Sequence, residues 1–74
     1  MKPFNLEEAK SGNPVCTRLG RDARIIFFDK KGSYPIVALI DYEYIEEVIV
    51  YDLNGKSDFN DVASISAYDL FMKD

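Results

Sequence analysis

Ile36-Val37-Ala38-Leu39-Ile40 is apolar at all five positions and is bracketed by Tyr34-Pro35 and Asp41. A run this short and this apolar reads as a strand covered on both faces. Pro35 suits its first position, where a missing amide donor is tolerated. Upstream, Ile25-Ile26-Phe27-Phe28 is too β-branched and aromatic for a helix of that length, and its rings are expected in the core. Lys30-Lys31-Gly32-Ser33 turns the chain between these two strands. Before them, Val15-Cys16-Thr17 is a short strand, joined by the corner Arg18-Leu19-Gly20-Arg21, where Gly20 supplies the positive φ of a hairpin turn. Beyond Asp41, residues 46–52 form a further strand that ends at the turn signal Leu53-Asn54-Gly55-Lys56.

Strands therefore recur every 8–12 residues with turn signals between them, and no helix is long enough for a parallel crossover. The expected fold is mainly β, α+β at the margin: an antiparallel meander or small, partly open barrel of about 4–5 strands with one short N-terminal helix. The expected elements of this single domain, residues 1–74, are a helix at 5–11 and strands at 15–17, 23–29, 35–41 and 46–52. There is room for a further short strand at 57–59, and the apolar segment 68–72 is expected to dock on the core. Asn5 followed by Glu8 is a helix-start signature, with Phe4, Leu6 and Ala9 on the buried side, and Gly12 and Pro14 stop the helix. The stretch 41–47 reads equally as a loop or as an extended hairpin.

Length and composition narrow the function classes. Seventy-four residues bury a limited fraction of their surface, but 47% apolar content with five Phe and five Tyr makes a core feasible. Cys16 is the single cysteine and there is no histidine, so no internal disulfide forms and a zinc site lacks ligands. A domain this small without disulfides is expected in a reducing, cytoplasmic compartment. No apolar run approaches the ~20 residues that span a bilayer, and the first residues lack a hydrophobic signal core, so a soluble protein is expected. Charge is asymmetric. Residues 1–37 hold seven Lys/Arg against four Asp/Glu, a net of +3, whereas residues 38–74 hold two against nine, a net of −7, giving −4 overall.

The chain ends carry a family likeness. Lys2-Pro3-Phe4-Asn5-Leu6-Glu7-Glu8-Ala9-Lys10-Ser11-Gly12-Asn13-Pro14-Val15, the corner 15–21, the step Tyr34-Pro35-Ile36 and the closing Asp69-Leu70-Phe71-Met72 resemble a family of small uncharacterised proteins encoded by bacteria, their phages and mobile elements. The resemblance spans nearly the whole chain and implies a compact single domain. It brings no activity with it.

Catalytic chemistry has little to work with. Without histidine the commonest acid–base group is missing. Glu46 and Glu47 point to opposite faces of a strand, and Glu7 and Glu8 belong to a helix cap. Cys16, between Val15 and Thr17, reads as a small buried hydrophobe rather than a nucleophile. Asp52, Asn54, Asp58 and Asp61 do not match a calcium loop, because the glycine stands fourth rather than sixth and Lys56 takes a ligand position. No enzyme activity, cofactor or metal is therefore expected.

Two interaction readings remain. Asp41, Tyr42, Glu43, Tyr44 and Ile45 form an apolar, aromatic tip rimmed by acids, suited to a protein partner or to self-association, with a homodimer among the options. An unpaired sheet edge is a further contact of the same kind. Arg18, Arg21, Arg24, Lys30 and Lys31 could instead contact single-stranded nucleic acid, which would be an accessory role. Their two turns lie at opposite ends of one strand, so a single patch is not guaranteed. The leading expectation is a small non-enzymatic binding or assembly module, phage- or mobile-element-related.

Overall fold

The computed structural model of the chain describes residues 1–58 and 66–73. Its elements in chain order are β1 (Lys2–Pro3), α1 (Leu6–Lys10), β2 (Val15–Thr17), β3 (Asp22–Phe27), β4 (Ile36–Asp41), β5 (Glu46–Tyr51) and β6 (Leu70–Met72). The strands form one antiparallel sheet in the order β1-β6-β2-β3-β4-β5. The mainly β, antiparallel class is as the sequence implies. β2 to β5 are the expected meander, and among the described residues the sheet stays open rather than curling into a barrel.

The strand count is six among the described residues, against an expected four to five. The additions are the chain ends. β1 has two residues and β6 three, too few for an alternating pattern to be visible in the sequence. β6 slots between β1 and β2, with Leu70 opposite Thr17 and Met72 opposite Val15. At Ser57 a single bridge to Tyr51 is made, while Phe59 and the rest of 59–65 lie outside the described residues.

Side chains directly opposite one another share a face of the sheet. One rung runs across all six strands on the inner face: Lys2, Met72, Val15, Ala23, Ile40 and Glu47. Ile36, Ala38, Ile40, Ile49 and Tyr51 on this face are fully buried or nearly so. Burying each large aliphatic among them contributes about 1.5–3 kcal/mol. The cover is α1 through Ala9, aided by Phe4, Leu6, Phe28, Tyr42 and Tyr68. α1 is too short to hold itself, so Asn5 caps it by accepting from the Glu8 amide at 2.9 Å, and packing supplies the rest.

The outer face departs from expectation. The apolar run in β4 alternates between the two faces, and Val37 and Leu39 look outward, where they are only half-buried. A bulge between Ile25 and Phe27 shifts the register of β3, so Phe27 opposes Val37 on this outer side and is 57% exposed rather than core. Val48 and Val50 continue the same rungs on β5, opposite Leu39 and Val37. The other half of the outer face is dressed by the chain itself. Cys16 lies under Met1, with their sulfurs 3.3 Å apart, Arg18 stacks on the Phe71 ring, and Lys73 pairs with Asp22. No helix among the described residues is long and apolar enough to cross a membrane.

The chain ends are fixed by one buried carboxylate. Asp69, 3% exposed, accepts from the Ser57 amide at 3.0 Å and from Arg18 Nη2 at 3.3 Å. Arg18 Nε donates to the Ser66 carbonyl, and the Tyr51 hydroxyl donates to the Tyr68 carbonyl at 2.7 Å. These bonds tie the β2–β3 corner, the 52–57 turn and the start of β6 together. In the sequence, Asp69 stands out only within the closing Asp69-Leu70-Phe71-Met72 pattern, and Arg18 within the corner 18–21 and the basic set.

Candidate protein-contact surface

The stretch 41–45 is a tight hairpin tip between β4 and β5. Asp41 opposes Glu46, and the Tyr42 amide donates to the Ile45 carbonyl at 2.9 Å. The Asp41 carboxylate accepts from the Glu43 amide at 2.8 Å, closing a side-chain turn. Glu43 sits at φ 73°, the only non-glycine among the described residues at positive φ, and the Tyr44 amide donates back to the Tyr42 carbonyl at 2.8 Å. That bond makes a γ-turn with positive φ at its centre, a rare and strained conformation.

The five tip residues play different parts. Tyr42 folds inward beneath Arg21, whose guanidinium lies 4.3 Å from its ring centre, and like Tyr68 it packs against the core. Tyr44 and Ile45 project instead, at 94% and 68% exposure. Asp41, Glu43 and Glu46 ring them with negative charge in a shallow hollow.

The basic residues are dispersed among separate partners. Arg18 is held by Asp69 and Phe71, Arg21 by Tyr42 and the Asp41 carbonyl, and Arg24 by a bidentate pair with Glu46 at 2.8–3.2 Å. Lys30 and Lys31 lie beyond the far end of β3, where the Lys30 ammonium reaches the Lys31 carbonyl at 3.4 Å. Cys16 is buried. Asp52 accepts from the Asn54 and Lys56 amides and so shapes its own turn. Asp61 lies outside the described residues. A hollow of about 460 Å³ lies between the end of α1 and β3 and is lined by Ala9, Pro14, Val15, Ala23, Ile25 and Phe28 among others. Arg24 is the one charged residue among the described residues of that lining.

Two tyrosines are perturbed. Burial first, then the Tyr68 hydrogen bond and the Tyr68 and Glu47 side chains, push Tyr42 up to about 12 against the pull of Arg21. Burial, then the Asp69 carboxylate and Tyr42, also push Tyr51 upward. A phenol whose proton is held more tightly in the folded state contributes stability that is complete below its unfolded value near 10. That contribution drains away as pH rises toward the folded value. The urea midpoint is therefore expected to fall between pH 10 and pH 12, and Tyr42→Phe should make that fall shallower. An unchanged slope in the variant would show that Tyr42 is not the group responsible.

The family model described as Haemophilus phage HP1 protein YO09 matches residues 1–73 of this chain. No curated protein and no solved structure matches it.

Proposed function

Because the chain belongs to the family of Haemophilus phage HP1 protein YO09, we propose that it is a small phage-related, non-enzymatic binding or assembly module that engages a protein partner through Tyr44 and Ile45. The wider range among bacteria and mobile elements, and action in the reducing cytoplasm of a host cell, are parts of the same proposal. The observation that carries it is the tip itself. An aromatic and a β-branched side chain stand in solvent, at 94% and 68% exposure, on a strained turn closed by three hydrogen bonds. Large apolar groups presented on a fixed frame lose little entropy on binding, which is what anchor residues at interfaces require. The acids around them supply the polar rim.

The buried polar groups support a structural rather than catalytic assignment. Asp69 is occupied by Ser57, Ser66 and Arg18, and Thr17 Oγ1 accepts from the Arg21 amide.

A photo-crosslinking residue placed at position 44 in phage-infected cells is expected to trap a discrete adduct, whereas the same residue at exposed position 31 should not. Tyr44→Ser with Ile45→Ser should weaken recovery of that partner at least tenfold while leaving the circular dichroism unchanged. Equal adducts from both positions would defeat the reading. Recovery of nucleic acid that falls steeply with salt would instead favour Arg18, Arg21, Arg24, Lys30 and Lys31.

A further inference from the structure

We propose that a second copy of this chain covers the bare half of the outer sheet face, packing sheet against sheet. The inference goes beyond the tip, because it concerns a different surface and a different partner.

An antiparallel sheet with one wet face alternates apolar inward with polar outward. Here the two central rungs of the outer face break that rule. Leu39 and Val48 form one beside Arg24, whose side chain reaches across β4 to Glu46, and Phe27, Val37 and Val50 form the other, with Ile26 beside them at the bulge. Val48 is 61% exposed and Ile26 46%, while Val37, Leu39 and Val50 are half-buried only by their neighbours. The described residues form a single layer of sheet with its helix on the other side, and layered folds bury both apolar faces of a sheet.

Area and charge identify the occupant. At these exposures the six side chains present on the order of 400 Å² of apolar surface. A standard interface takes about 800 Å² from each partner, of which roughly 55–65% is apolar, so the patch is close to the apolar share that one partner contributes. The Phe27, Val37 and Val50 rung holds no charge, although the chain carries −4 and residues 38–74 carry −7. The charges on the neighbouring rungs are Arg24, which opposes Leu39 and closes on Glu46, and Asp41, which opposes Glu46 across the strands. A patch that pairs its own opposite charges can meet its twofold image without like-charge repulsion, with Arg24 of one copy facing the acids of the next. Valine, leucine and phenylalanine rungs interdigitate in aligned sheets about 10 Å apart.

The contact stops where the chain covers itself. Met1 over Cys16 and Arg18 over Phe71 occupy the β2–β6 side of the same face, so the dimer rests on β3, β4 and β5 alone.

Sedimentation velocity on the whole chain decides the matter. The expected mass is twice 8.5 kDa, with a dissociation constant on the order of micromolar. Val48→Lys, at an exposed position, should raise that constant at least tenfold with an unchanged circular dichroism spectrum. Phe27→Lys should do the same and serves if the first variant fails to fold. Leu19→Lys, on the β2–β3 corner, and Tyr44→Ser, at the tip, should leave the mass alone. An 8.5 kDa species at every concentration up to about 0.5 mM would overturn the dimer and leave the tip proposal standing. A dimer that survives both face variants, or one that Tyr44→Ser dissociates, would overturn this placement of it.

Discussion

Replacing Asp69 with alanine is expected to cost about 2–5 kcal/mol, chiefly because two buried amides lose their acceptor. The reason lies in what the carboxylate leaves behind. The Ser57 amide loses an acceptor at 3.0 Å in a region that excludes water, and the Ser66 amide loses a longer one at 3.4 Å. Each buried donor left unpaired costs about 1–3 kcal/mol. Arg18 is only partly buried and recovers some of its loss by solvation, so its ion pair is the smaller share. A chain of this length has roughly 4–11 kcal/mol in total at the usual per-residue stability. Asp69→Ala should therefore leave a large unfolded fraction at 25 °C, read as a lowered urea midpoint. Asp69→Asn keeps an acceptor for Ser57 and should lose about half as much. A loss below about 1 kcal/mol in the alanine variant would mean that this carboxylate does not hold the chain ends.

Gly55→Ala is expected to be nearly as damaging, by about 2–4 kcal/mol, for two reasons that add. Gly55 sits at φ 80°, where a side chain costs about 1–2 kcal/mol. A β-carbon there would also stand 2.8 Å from Cγ and 2.9 Å from Cβ of Phe4. Such overpacking costs typically 1–3 kcal/mol. Phe4 cannot swing away freely, because it is part of the cover on the inner face and follows directly from β1. Gly12→Ala offers the control. Its φ is 94°, yet nothing lies within 4 Å of the added carbon, so only the backbone cost should appear. The difference between the two melting temperatures isolates the clash with Phe4. Equal losses would show that Phe4 moves aside.

Both predictions fall on the packing that joins the chain ends to the middle, and this is where sequence reading is weakest. Asp69 and Gly55 are fourteen positions apart and meet through Ser57 and the Leu70 amide, which donates to the Gly55 carbonyl at 2.8 Å. No periodicity links them. Phe27 teaches the same lesson on the other side of the sheet. In the sequence it is one of four consecutive apolar residues, and a single-residue bulge decides that it faces solvent.

The tip divides in the same way. Five neighbouring residues suggested one contact surface, yet Tyr42 turns inward to Arg21 and Tyr68 while Tyr44 and Ile45 turn out. Which tyrosine does which depends on Arg21, twenty-one positions earlier, and Tyr68, twenty-six later. The basic residues show it again, since each arginine is claimed by a partner distant in the chain.

What the residues determine alone is local. β-branched and aromatic runs choose strands, Gly12 and Gly20 choose the turns at φ 94° and 87°, and Asn5 starts the helix through a bond to Glu8. These follow from steric limits on a few adjacent dihedrals and from hydrogen bonds that span three or four positions. Tertiary structure alone decides which face of each strand is covered, that the two ends become strands, and which charges are neutralised. Those outcomes depend on groups far apart in the chain that meet only when the sheet closes around β6, and register moves every side chain of a strand at once.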